Sequence, residues 1–109
     1  MLQSITPDQL ETLLKFRADV RILDVRKKPA FDADNCLVAG AEWRDPLTLD
    51  DWADDMKSTT SPVICYCVHG HQVSQDVARG LSARGIDAYY LRGGFDEWKL
   101  ISAPLMAKA

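Results

Sequence analysis

A near-continuous apolar run, Pro62-Val63-Ile64-Cys65-Tyr66, constrains the fold of this chain most strongly. A strand with one face in water alternates apolar and polar residues, whereas an unbroken run is typical of a strand buried on both faces. Strands of that kind lie in parallel sheets that helices cover on each side. A short loop of small and polar residues follows the run, and then an amphipathic segment that ends at Gly85. The order strand, loop, helix predicts an α/β fold.

The rest of the chain alternates apolar strands with amphipathic helices. A first helix is predicted from Thr6 to about Ala18, because Pro7 stands at its first position and Gln9 completes a capping box with Thr6. The other predicted elements are strands at 20–25, 37–38, 62–66 and 86–91, a short helix within 27–34, a helix capped by Thr48, a helix from about Val73 to Arg84 and a short helix that starts at 95–98. This pattern predicts a central, mostly parallel sheet of about four to five strands with helices on both faces.

Length and charge exclude several classes of protein. The 109 residues correspond to one domain, and we expect its core at about 4–101, with a short C-terminal tail at 102–109. A net charge of −3 offers no basic surface for nucleic acid. No apolar stretch approaches the roughly 18 residues that cross a bilayer, and the N-terminus lacks the features of a signal peptide. We therefore expect neither nucleic acid nor a membrane as a partner.

The three cysteines, Cys36, Cys65 and Cys67, indicate a reducing environment. Their odd number, with no secretory signal, argues against a disulfide framework. Free thiols predict a cytoplasmic location, and at least one of them is expected to be present for its reactivity.

Cys67 occupies the position most typical of a reactive thiol. It ends the buried strand, and a loop at that end of a parallel strand lies in the crevice where open α/β sheets bind ligands. The N–H groups of residues 68–73 can surround the sulfur, and the positive end of the next helix points to it, so a thiolate is favoured. Gly70 allows the backbone to approach closely. The alternative is a cysteine that simply ends a buried strand as a small apolar residue.

The loop Cys67-Val68-His69-Gly70-His71-Gln72 resembles the active-site loop of rhodanese-like domains, the single-domain sulfurtransferases. Three further stretches match that family in order: Leu23-Asp24-Val25-Arg26 its D-V-R segment, Val38-Ala39-Gly40-Ala41 the end of its G-H-I-x-G-A segment, and Leu91-Arg92-Gly93-Gly94-Phe95-Asp96-Glu97-Trp98 its L-x-G-G-x-x-x-W motif. The resemblance spans nearly the whole chain. It departs at Asp34-Asn35-Cys36-Leu37, where the family has a G-H pair and a shorter segment.

The resemblance implies a sulfurtransferase with Cys67 as its nucleophile. The thiolate attacks the outer sulfur of a donor such as thiosulfate, and the resulting persulfide passes its sulfur to a thiol, which can belong to a protein, or to cyanide. The persulfide would be held by the loop, as donors hold an oxyanion. That loop consists of Val68, His69, Gly70, His71, Gln72 and Val73. The resemblance implies no cofactor.

Four residues outside the loop are candidates for supporting roles. Asp24 and Arg26 can pair with loop groups or helix ends and so keep the face of the site in shape, but an ordinary structural ion pair is the favoured role. Ser74 can donate to the sulfur or cap the following helix, and the cap is the favoured role. The loop has no Lys or Arg, so a thiosulfate dianion would depend on backbone N–H groups, on the two loop histidines and on Arg92 reaching across the crevice. We therefore expect thiosulfate to bind weakly.

Other chemistries of a reactive cysteine fit the spacing less well. A C-x5-R phosphatase needs an arginine where this chain has Val73, and a dithiol oxidoreductase needs C-x-x-C, whereas Cys65 and Cys67 are one residue apart. Cys65, Cys67, His69 and His71 alternate along the chain, but an extended strand would spread them too far for one metal ion. No metal site is predicted.

Two other functions stay open for such a domain. One is a sulfur relay between proteins, in which activity on small molecules is incidental. The other is a binding or sensing module whose loop recognises an oxyanion, such as arsenate or chromate, without turnover.

Overall fold

The computed structural model describes residues 2–16, 19–58 and 60–108, in which strands and helices alternate. The strands of this part of the chain are β1 Gln3–Ile5, β2 Arg21–Asp24, β3 Cys36–Val38, β4 Glu42–Trp43, β5 Val63–Tyr66, β6 Ala88–Leu91 and β7 Leu105–Ala107. The α-helices are α1 Pro7–Phe16, α2 Lys28–Asp32, α3 Leu49–Trp52, α4 Gln72–Ser82 and α5 Gly94–Leu100, with 3-10 turns at Pro46–Thr48 and Ala53–Ser58. None of these helices is long and apolar enough to cross a membrane.

A five-stranded sheet with the order β1-β6-β5-β2-β4 forms the centre, and its neighbouring strands are all parallel. The apolar run becomes β5, the middle strand, and all four of its residues are buried. The α/β class and the parallel sheet are thus confirmed. The short edge strands β1 and β4 were not predicted, because neither carries an apolar run of its own. The predicted strand at 37–38 lies outside this sheet, since β3 pairs antiparallel with β7.

Helices cover both faces of the sheet, as expected. Side chains on β2 and β5 alternate between two cores: Ile22 and Ile64 face one, and Leu23 and Cys65 face the other. The first core includes residues of α1 and α5, namely Leu10, Phe95 and Trp98. The second includes residues of α3 and α4, namely Trp52, Val77 and Leu81.

The predicted helix ends are partly confirmed. Thr6 Oγ1 accepts from the N–H of Gln9 at 3.2 Å and Gln9 Oε1 accepts from the N–H of Thr6 at 2.9 Å, which is the predicted capping box. The predicted end of this helix near Ala18 lies outside the described residues. Gly85 follows α4 with φ +82° in the left-handed region, as expected of a glycine at that position.

The helix predicted to begin at a Thr48 cap is different in the structure. Thr48 makes no side-chain cap, and one α-helical turn passes into the 3-10 turn Ala53–Ser58. The side-chain cap lies earlier, at the 3-10 turn Pro46–Thr48, where the carboxylate of Asp45 accepts from the N–H of Leu47 at 2.9 Å. Asp side chains compete for backbone N–H groups and so favour caps and turns over helix interiors. The Asp-rich segment therefore stays a short helix.

The segment expected to be a C-terminal tail takes part in the fold. Its strand β7 pairs with β3, with Leu37 opposite Met106. The indole N–H of Trp98 donates to the carbonyl of Pro104 at 2.8 Å, which holds the start of this segment against α5. The segment after residue 101 thus packs on the domain through β3 and Trp98.

Candidate active site

The loop between β5 and α4 carries Cys67 at the carboxyl end of the central strand. Cys67 is only 6% exposed, and it lines a cavity of about 280 Å³. The residues around this cavity are Arg26, Lys27, Ala30, Cys67, Val68, His69, His71, Gln72 and Val73. The cavity therefore brings together the predicted nucleophile, most of the predicted loop and the residues after β2.

Two glycines let this loop pack directly on the turn before α5. Gly70 has φ +72°, and a Cβ there would lie 2.6 Å from the carbonyl oxygen of Leu91. Gly94 has φ +60°, and a Cβ there would lie 2.5 Å from the carbonyl oxygen of Cys67. Because both contacts are to backbone, neither position tolerates a side chain without displacing the chain. The Gly-Gly turn thus sets the path of the Cys67 loop.

The carbonyl and N–H groups of the loop have different partners. The carbonyl of Cys67 accepts from the N–H of Phe95 at 2.9 Å, and that of Val68 accepts from the N–H of Asp96 at 3.0 Å. The carbonyl of Gly70 accepts from the Gln75 side chain at 3.0 Å. By contrast, none of the hydrogen bonds in the described parts of the chain has an N–H of residues 68–73 as its donor. These donors are available to an anion.

Ser74, the third residue of α4, contacts the sulfur rather than capping the helix. The thiol of Cys67 donates to Ser74 Oγ at 3.1 Å, and the serine is fully buried. The residue before α4 is His71, which makes no side-chain cap, so the favoured capping role of Ser74 is wrong. When the sulfur is a thiolate, the same hydroxyl can rotate to donate to it.

Both loop histidines line the cavity and are exposed. Nδ1 of His69 lies 2.9 Å from a carboxylate oxygen of Asp96 on α5, and its ring centroid lies 5.9 Å from that of His71. A pair as open to solvent as His69 and Asp96 adds little stability. It does orient one imidazole at the rim of the cavity.

The predicted ion pair of Asp24 and Arg26 is present and buried. A guanidinium nitrogen of Arg26 lies 2.7 Å from the Asp24 carboxylate, another donates to the same group at 3.0 Å, and the side chain also donates to the carbonyl of Cys36 at 3.1 Å. Burial opposes the charge, but the hydrogen bond and charge of Asp24 outweigh it and raise the pKa of Arg26. The guanidinium lies 4.5 Å from the centre of the Phe95 ring, so the pair braces α5 against the cavity.

Asp34 ties the segment that departs from the family pattern to this ion pair. Its carboxylate accepts from the N–H of Cys36 at 3.2 Å and from Lys99 at 3.3 Å, and it lies 3.5 Å from the Arg26 guanidinium. Burial and then the neighbouring Asp34 carboxylate raise the pKa of the Cys36 thiol. The longer segment thus keeps a defined path beside the site.

Arg92 does not reach across the crevice. Its Nε donates to the hydroxyl of Ser4 on β1 at 2.8 Å, and it is not among the residues that line the cavity. Lys27, which sequence reasoning missed, lines the cavity instead. A partial signal existed, because Lys27 follows β2, one of the two neighbours of β5, and residues after adjacent parallel strands meet at one edge of the sheet. The same signal applies to Arg92 after β6, so it does not distinguish the two residues.

Cys65 is separated from the cavity. Its side chain is fully buried in the second core, and burial, followed by the charge of Cys67, raises the pKa of its thiol. In residues 2–16, 19–58 and 60–108, no three His, Cys, Asp or Glu side chains gather as they would around a metal ion.

Comparison with known proteins identifies the architecture. The family model of the rhodanese-like domain matches residues 6–101. A thiosulfate sulfurtransferase GlpE of Coxiella burnetii is 32% identical over 100 residues, covering 91% of this chain and 89% of that protein. The GlpE protein of Pseudomonas fluorescens is 34% identical over 98 residues, covering 87% and 83%. A crystal structure of a rhodanese-like domain protein from Staphylococcus aureus superposes with a TM-score of 0.81 at 26% identity, covering 99% of this chain and all of that one.

Proposed function

Because this chain belongs to the rhodanese-like domain family, we propose that it transfers sulfane sulfur from a thiosulfate-like donor to a thiol or cyanide through a persulfide on Cys67. The observation that carries the proposal is the surroundings of one sulfur atom. Cys67 directly follows the buried central strand, and its sulfur contacts Ser74 Oγ at 3.1 Å. The residue lines a cavity beside a loop whose N–H donors are free. Relatives with the name thiosulfate sulfurtransferase support the same reaction class.

In the first half-reaction, the Cys67 thiolate attacks the outer sulfur of thiosulfate. A sulfur–sulfur bond forms at Cys67 while the sulfur–sulfur bond of thiosulfate breaks. The bonding pair leaves with sulfite, and the terminal persulfide sulfur keeps one negative charge. The charge of −3 on the reactants is then found as −1 on the persulfide and −2 on sulfite. No external oxidant or reductant is needed.

In the second half-reaction, the acceptor attacks the outer sulfur of the persulfide. A thiolate acceptor leaves as a persulfide and cyanide leaves as thiocyanate, while the bonding pair returns to Cys67 as a thiolate. The chain is thereby regenerated, and the two substrates never need to bind together.

The residues around the sulfur have distinct roles in this cycle. The N–H groups of residues 68–73 stabilise the anionic outer sulfur, as preorganised donors stabilise an oxyanion. The hydroxyl of Ser74 donates to the inner sulfur whenever it is a thiolate, at the start and at the end of the cycle. The buried Asp24–Arg26 pair holds one wall of the cavity in place. This chemistry needs a reduced thiol, which supports our proposal that the protein works in the reducing cytoplasm.

Steady-state kinetics with thiosulfate and cyanide test this proposal. Thiocyanate production should give parallel double-reciprocal lines when either substrate is varied, and Cys67→Ser should abolish it. Cys36→Ser is the matched control and should keep the activity, because Cys36 is not among the residues that line the cavity. Intersecting lines, or turnover by Cys67→Ser, would refute the mechanism.

Rates of persulfide formation with different sulfur donors distinguish this proposal from a sulfur relay between proteins and from an oxyanion-binding module. A relay between proteins would accept sulfur from a protein persulfide faster than from thiosulfate. A binding module would retain an oxyanion such as arsenate and form no persulfide with any donor.

A further inference from the structure

The side chain of Lys27 stands out among the cations near Cys67. Arg26 also lines the cavity, but its guanidinium is neutralised by Asp24. Lys28, the next residue, pairs with Asp32 at 2.8 Å. Within the described residues, by contrast, Lys27 forms no ion pair, although this residue lines the same cavity as Cys67.

Lys27 also occupies a position where lysine is locally unfavourable. It is the N-cap residue of α2, and its side chain makes no cap hydrogen bond. Ser, Thr, Asp or Asn at that position would accept a hydrogen bond from the first turn, which an ammonium cannot do. A residue that breaks a local rule in this way is expected to serve a function elsewhere.

The backbone places this lysine at the mouth of the site. Asp24 of β2 is in register with Tyr66 of β5, and the N–H of Val25 donates to the carbonyl of Tyr66 at 2.9 Å. The segments that follow β2 and β5 therefore leave the sheet side by side, one leading to Lys27 and the other to Cys67. The loop itself has no Lys or Arg, so this neighbouring connection supplies the unpaired cation.

We propose that Lys27 is the residue that attracts and holds the anionic end of the sulfur donor over Cys67. The site is thus divided between two connections: the loop after β5 supplies the nucleophile and N–H donors, and the residue after β2 supplies the positive charge. The inference rests on the proposed function for the identity of the donor. The anion site itself can be measured without sulfur transfer.

Electrostatics gives the size of the effect. One ammonium about 6 Å from a dianion in a water-like dielectric raises affinity about tenfold at low ionic strength. At 0.5 M salt most of that gain should disappear, because the Debye length falls to about 4 Å.

The test measures how an inert dianion protects Cys67. Iodoacetamide, which is uncharged, alkylates Cys67 in the presence of increasing sulfate at a low ionic strength that is held constant, and peptide mapping reports the rate at that residue. Lys27→Gln should need about ten times more sulfate for half-protection, while Lys28→Gln should match the native chain. Thiosulfate should show the same tenfold loss in its second-order rate of persulfide formation.

The two proposals fail in different ways. Equal half-protecting concentrations for Lys27→Gln and Lys28→Gln, or no protection of the native chain, would overturn the role of Lys27 even if persulfide forms. Lys27-dependent protection without any persulfide would support the anion site and refute the sulfurtransferase. Because Lys27 is exposed, its substitution should leave the unfolding curve unchanged, and a shifted curve would contradict the description of a free surface lysine.

Discussion

Replacing Gly70 by alanine should destabilise the protein through the contact between the Cys67 loop and the turn before α5. At φ +72° an L-residue is strained by about 1–2 kcal/mol. The added Cβ would also lie 2.6 Å from the carbonyl oxygen of Leu91 and 2.7 Å from the nitrogen of Gly93. These are backbone atoms and cannot rotate away, so the overlap should cost a further 1–3 kcal/mol or so.

Gly85→Ala is a matched control for this substitution. Gly85 has a similar φ of +82°, but a Cβ there would meet nothing within 4 Å. The strain of the left-handed backbone and the reduced entropy of the unfolded chain are therefore common to both variants. We expect a loss of about 1–2 kcal/mol for Gly85→Ala and of about 2–5 kcal/mol for Gly70→Ala.

Urea unfolding followed by tryptophan fluorescence measures both losses. The midpoints should differ while the slopes stay equal, which shows that stability rather than the unfolded state has changed. Gly70→Ala should also form persulfide more slowly, since its loop is displaced, whereas Gly85→Ala should not. Equal stability of the two variants would refute the inferred close approach of loop and turn.

Three further predictions concern neighbouring residues. Ser74→Ala should slow persulfide formation about tenfold, because a hydrogen bond to a charged sulfur is lost, and an unchanged rate would contradict the role of the hydroxyl. Burial would raise the pKa of Asp34, but hydrogen bonds from Cys36 and Lys99 outweigh it and lower the pKa, so stability should fall as the pH drops below about 4. In urea titrations Asp34→Asn should show less of this loss, and the same acid sensitivity as the native chain would oppose the assignment. Cys65, with its buried thiol and raised pKa, should resist iodoacetamide at pH 8 in the folded chain while Cys67 reacts, and peptide mapping that finds early labelling of Cys65 would disprove its burial.

Much of the fold could be predicted because its strongest elements have local signals. The apolar run of β5, the capping box at Thr6 and the glycine after α4 each act through residues close in sequence. The edge strands β1 and β4 could not be found in this way, because short edge strands depend on their neighbours for pairing. Strand β7 was likewise missed, since its partner β3 lies far away in the chain.

In the candidate site, too, features with a local sequence signal could be predicted and features that depend on distant residues could not. Cys67 could be chosen as the candidate nucleophile from its position after a buried strand and from four ordered motifs. The contact of Ser74 with the sulfur depends on the path of the loop, which the glycines of a distant turn set. Sheet order could not separate Arg92 from Lys27, because β6 and β2 both flank β5. Arg92 is absent from the cavity because its side chain donates to Ser4 on β1.

The central claim, a persulfide on Cys67, is tested most directly by intact-protein mass spectrometry after incubation with thiosulfate. The native chain should gain one sulfur atom and lose it on addition of cyanide. The Cys67→Ser variant should gain none. Failure of the native chain to gain sulfur while Cys67 can still be alkylated, or a gain that persists in Cys67→Ser, would contradict the account.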